Sequence, residues 1–89
     1  MTIVEFVAAL NEKFNGFPNV SIDKPESKYV RIVTNFRIGT DSWEVYCFID
    51  HEGNIYKAAS WTTPAKGVRS TLATVDIGKV DSYGSWLYR

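Results

Sequence analysis

Ile3, Phe6, Val7, Leu10 and Phe14 recur at the spacing that gathers side chains on one face of an α-helix. The opening stretch "MTIVEFVAALNEKF" therefore predicts an N-terminal helix with an apolar stripe. Thr2 and Glu5 have the spacing of a capping box, and Met1 with Phe6 that of a hydrophobic staple. Asn15-Gly16 predicts the stop, because glycine accepts the left-handed cap conformation, and Pro18 prevents a restart.

After a polar connection the period changes from helical to alternating. In "KYVRIVTNFRI", Val30, Ile32, Thr34, Phe36 and Ile38 point one way and Tyr29, Arg31, Val33, Asn35 and Arg37 the other, the pattern of a half-buried strand. "GTDS" reads as a turn. "WEVYCFID" then returns, with Trp43, Val45, Cys47 and Ile49 on one face and Glu44, Tyr46, Phe48 and Asp50 on the other. With Gly39-Thr40 as a two-residue loop, Phe36 faces Trp43, Thr34 faces Val45 and Ile32 faces Cys47. The apolar sets then coincide, and the helix has a sheet face to cover.

"DHEGN" predicts a second turn with Gly53 at positive φ, leading into a third strand, "IYKAAS". A three-residue loop with a bulge puts Lys57 and Trp61 on the Cys47 face; a two-residue loop puts them beside Tyr46 and Phe48. Burying an unpaired lysine is costly, which favours Lys57 on the open face. Thr63-Pro64 has the form of an N-cap and first helical residue, so a short helix or turn is expected near 64–72. The apolar tail "YGSWLYR" predicts a final edge strand. The expected fold class is α+β: one domain, 1–89, with an N-terminal α-helix packed on a small antiparallel sheet of three to four strands.

Composition narrows the function. The chain has 89 residues, 45% hydrophobic and 22% charged, so a single folded core is expected with few side chains to spare for an elaborate active site. Ten Lys plus Arg balance ten Asp plus Glu, so any attraction to a polyanion must come from a local patch. Cys47 is the single cysteine, without a disulfide partner or a metal-site spacing, which fits a reducing compartment. Neither a basic leader before an apolar run nor a membrane-length segment is visible, and the expected location is cytoplasmic.

Catalytic candidates are few. His51 sits in a polar turn, Cys47 on the predicted core face without a base, and the carboxylate pairs Asp50/Glu52 and Asp23/Glu26 in turns or loops. No nucleotide loop, zinc spacing or triad pattern occurs, so no cofactor, metal or enzymatic activity is expected. The open sheet face is the stronger candidate, because Arg31, Arg37, Tyr46, Phe48 and Lys57 would interleave cations with rings, a surface that stacks bases and neutralises phosphates. A C-terminal layer carrying Trp86 and Tyr88 would instead cover those rings. A second candidate is the start of the expected short helix, where backbone N–H groups with Lys66 and Arg69 would hold an anion and Trp61 would mark a contact surface.

The stretch "GNIYKAASWTTPAKGVRSTL" resembles one found in a group of small phage-encoded proteins of unknown function. The match runs from Gly53 to Arg69. The resemblance implies a setting in the host cytoplasm, where small phage proteins act by binding, as inhibitors of host enzymes or of defence systems such as CRISPR effectors, without chemistry of their own. Three readings follow: a phage accessory protein that binds a host or phage macromolecule, a nucleic-acid or nucleotide binder using Arg31, Arg37, Lys57, Lys66 and Arg69 with Tyr46 and Trp61, and a homodimer that pairs through the last strand.

Overall fold

Thr2 and Glu5 close the expected capping box: Thr2 Oγ1 accepts from the Glu5 N–H at 3.1 Å and Glu5 Oε1 accepts from the Thr2 N–H at 2.8 Å. Helix α1, Ile3–Lys13, follows from that cap. It ends at Phe14, and Asn15 and Gly16 both take positive φ (55° and 74°), which lets the Gly16 N–H reach back to the Asn11 carbonyl at 2.9 Å. The computed structural model that shows this describes residues 1–37 and 39–88; Ile38, expected on the apolar side of the first predicted strand, lies outside the described residues.

The sheet is antiparallel and five-stranded, in the order β1-β2-β3-β4-β5, rather than three- or four-stranded. The strands are β1 Asn19–Asp23, β2 Tyr29–Asn35, β3 Glu44–Asp50, β4 Asn54–Tyr56 and β5 Ser70–Thr71. β1 corrects the reading of that region as a polar connection: Val20 and Ile22 alternate with polar neighbours and pair with Thr34 and Ile32. The α+β class with an antiparallel sheet stands.

The pairing of β2 with β3 keeps Ile32 opposite Cys47 but sets Val33 opposite Val45 and Thr34 opposite Glu44. Tyr46 is the extra residue of a β-bulge. A bulge reverses the facing of everything on one side of it, so Tyr46 joins the core and Val45 and Trp43 leave the expected apolar set. The expected pairing of Thr34 with Val45 is lost to this one-residue shift, and that of Phe36 with Trp43 does not form because both lie in the loop between β2 and β3.

Phe6, Val7 and Leu10 of α1 pack on Val20, Val30, Ile32, Cys47, Ile49 and Ile55, as the alternation of each strand requires. Leu72, Val80 and Leu87 complete this core from the C-terminal segment, which adds 3-10 helices at Ile77–Lys79 and Ser85–Tyr88. The tail is therefore not a strand. Lys13 ties it to the helix, its Nζ donating to the carbonyls of Ile77 and Val80.

An edge strand exposes backbone groups that invite pairing with another chain. At β1 the side-chain amide of Asn11 answers them: the Val20 N–H donates to Asn11 Oδ1 at 2.8 Å, and Asn11 Nδ2 donates to the Val20 carbonyl at 2.9 Å. Asn11→Ala is expected to cost about 1–3 kcal/mol, because two partly buried backbone groups lose their partner. Chemical denaturation measures the loss, and light scattering should show concentration-dependent association of the variant through the uncovered edge.

Candidate functional site

The face of the sheet turned away from α1 carries Arg31 and Phe48 directly opposite each other on β2 and β3. Both are buried, at 7% and 2% exposure. What covers them begins where β4 ends. The Ala65 N–H donates to the Lys57 carbonyl at 2.8 Å, Ala58 bridges Pro64, and the Ala59 N–H donates to the Thr63 carbonyl at 2.9 Å. Residues 57–65 thus form a small hairpin arm. Ser60 Oγ closes its tip by accepting from the N–H groups of Thr62 and Thr63, an ST-type turn.

The arm crosses the sheet over β3 and sets Trp61 down on Arg31. The guanidinium carbon lies 4.7 Å from the ring centroid, Nη1 donates to the Trp61 carbonyl at 2.7 Å, and Nε and Nη2 both reach Asp23 Oδ2 at 2.9 Å. One buried arginine therefore joins β1, β2 and the arm by ion pairing, hydrogen bonding and cation–π contact. Trp61 keeps 46% of its surface exposed.

This ridge divides the face into two grooves of opposite polarity. On one side Lys24, Lys28, Tyr29 and Phe48 line a basic groove of about 290 Å³ with Arg31 and Thr62. On the other, Asp23, Asp41, Val33, Trp43 and Trp61 line an acidic and aromatic groove of about 390 Å³. Lys24, Lys28, Asp41 and Trp43 were not visible as site residues in the sequence, and Asp23, expected as half of a pair with Glu26, is instead bonded to Arg31. The bulge at Tyr46 moves Trp43 to this face, and an alternation rule carries no signal for a bulge.

The expected site residues separate. Lys57 and Trp61 do not share the open face: Ile55 points to the core, Tyr56 lies opposite Phe48, and Lys57 Nζ sits 4.7 Å from the Tyr88 ring on the side of the C-terminal segment. The cation–π contact and the partial exposure of Lys57 answer the cost that argued against this side. Tyr46 is 6% exposed and belongs to the core, where its hydroxyl donates to the Asp81 carbonyl at 2.6 Å and accepts from Trp86 Nε1–H at 2.8 Å. Arg37 lies in the loop beyond β2, exposed and apart from Arg31. Thr63 caps no helix: residues 64–69 bend through Gly67 at φ 97° into β5, so the expected helix-terminal anion site at Lys66 and Arg69 does not form, although both side chains are exposed.

Residues 7–89 match the model of a family of unknown function, DUF7717. The chain belongs to that family. No curated protein and no solved structure matches it.

In the DUF7717 chain Asp50 and His51 both have hydrogen-bond partners. Asp50 is no half of a carboxylate pair: against the upward push of burial, hydrogen bonds from Asn54, Tyr56 and the Glu52 N–H hold its carboxyl below the usual range and build the turn before β4. His51 meets the Ser27 carbonyl at 2.7 Å on the surface. Among the described residues, no group of three His, Cys, Asp or Glu side chains is placed to hold a metal ion, and no helix is long and apolar enough to cross a membrane.

Cys47 and Tyr46 set an alkaline limit. Burial pushes both groups well above their ordinary values, and for Tyr46 the hydrogen bond from Trp86 only partly opposes it. Raised folded-state values mean that the neutral forms stabilise the fold, fully below the unfolded values of about 8.5 and 10 and progressively less as pH rises through them. Urea midpoints are expected to fall steadily above about pH 9. In Cys47→Ala the fall should begin only near pH 10, where the unfolded tyrosine ionises.

Proposed function

We propose that the chain is a non-enzymatic binding protein whose contact surface is the Trp61 arm with the groove on either side of it. The observation that carries this reading is an exposed tryptophan held rigidly by Arg31 between grooves of opposite charge. Aromatic anchors fixed before contact lose little entropy on binding, and a surface that alternates in sign selects a protein of complementary pattern. A polyanion is less well served, because Arg31 is already paired with Asp23 and Lys57 lies on the opposite side of the sheet.

The resemblance of residues 53–69 to phage-encoded proteins supports a setting: a phage accessory protein acting in the host cytoplasm on a host complex, as a counter-defence inhibitor of the anti-CRISPR kind. The test is capture from host lysate with tagged wild-type and Trp61→Ala chains, followed by an interference assay with the same pair. A specific partner that the variant loses supports the reading. Equal capture by both chains, or binding only to nucleic-acid probes with steep salt dependence, overturns it.

A further inference from the structure

The groove lined by Trp43, Trp61, Asp23 and Asp41 has aromatic walls and two carboxylates, and among the described residues no lysine or arginine lines it. Its nearest cation, Arg31, is spent: the guanidinium lies against Trp61, and both of its bonds to Asp23 take Oδ2. Among the described residues no hydrogen bond takes Asp23 Oδ1, and that side chain is 37% exposed. Asp41 is exposed in the loop before Trp43. Val33, on the same face as Asp23, gives the groove an apolar floor.

Two indoles and two acids above an apolar floor suit one class of group. A cation on an aliphatic stem meets the electron-rich ring faces, finds carboxylates for its N–H donors, and packs its methylenes on the floor. An anion would meet Asp23 and Asp41, and a neutral apolar side chain would make no use of Asp23 Oδ1 or the Asp41 carboxylate. We propose that this groove receives an arginine or lysine side chain from the protein partner, with arginine favoured because its planar guanidinium stacks on indole while donating to carboxylate. The proposal rests on the open face being the contact surface and names the chemistry of what enters it. The basic groove beyond the ridge then meets acidic groups of the same partner, which fixes the orientation of docking.

The probes are acetyl-Gly-Arg-Gly-amide and its lysine counterpart, with acetyl-Gly-citrulline-Gly-amide as the neutral isostere. The readout is the pair of indole Nε1–H signals of Trp43 and Trp61 in two-dimensional NMR. Saturable shifts of both signals with the arginine peptide, weaker with lysine and absent with citrulline, are the expected result. Asp41→Asn should weaken the arginine peptide by at least about tenfold while leaving the rest of the spectrum in place. Equal shifts with citrulline, an unaffected Asp41→Asn variant, or no shift up to about 10 mM peptide overturns the proposal. Capture of a partner that depends on Trp61 but not on Asp41 overturns this inference alone, whereas capture independent of Trp61 removes the contact surface itself.

Discussion

Phe6→Ala is expected to lower stability by about 3–5 kcal/mol, because a fully buried ring is removed where α1 meets the sheet. A domain of this size has a total stability on the order of 5–10 kcal/mol, so the variant loses a large part of it. Its melting temperature should drop by more than about 12 °C, read by circular dichroism. The effect is this large because Phe6 packs among side chains from both the sheet and the C-terminal segment, and the helix has a single apolar stripe with which to close that core. A drop of only a few degrees would mean that α1 contributes little to the core.

Arg31→Met is expected to have the largest effect on binding. Methionine keeps much of the apolar stem against the sheet but removes the ion pair to Asp23, the hydrogen bond to the Trp61 carbonyl and the cation–π contact at once. The loss of stability should be modest, about 1–3 kcal/mol, because Asp23 is partly open to solvent and water takes the place of its partner. The arm is then held to the sheet only through its own ladder. Amide exchange at residues 58–64 should accelerate, Trp61 emission should move to longer wavelength, and partner capture should fall at least about tenfold with the core intact. Unchanged exchange in the arm would show that Arg31 does not anchor it.

The elements legible in the sequence are those whose signal is local and repeated. The helix showed itself through five apolar positions and a capping box, and the Ile32–Cys47 pairing through alternation on both strands. The site was less legible because its geometry depends on single residues that break a period. One inserted position, Tyr46, moved a tyrosine into the core and Trp43 onto the open face. The Thr63-Pro64 pair resembled a helix start, yet the backbone used Thr63 to pair with Ala59 and close a hairpin that brings Trp61 to Arg31. β1 lay in plain view as Val20 and Ile22, but five residues beside a proline and a Lys-Pro-Glu-Ser turn gave too short a run to outweigh a loop.

A further aromatic group lay outside any local pattern. Phe17, Phe36 and Tyr83 come from three distant segments and meet in an edge contact at 6.2 Å and a stack at 5.3 Å, with Tyr83 82% exposed. It offers the natural comparison for the arm, since it is a second exposed aromatic surface without the flanking grooves of opposite charge.

Hydrogen-exchange footprinting of the complex captured from host lysate tests most directly whether the arm and its grooves form the contact surface. Protection on binding is expected at residues 58–64, 21–28 and 41–43, with the Phe17, Phe36 and Tyr83 cluster unchanged. Protection confined to that cluster, or to the exposed segment around Lys66 and Arg69, would contradict it.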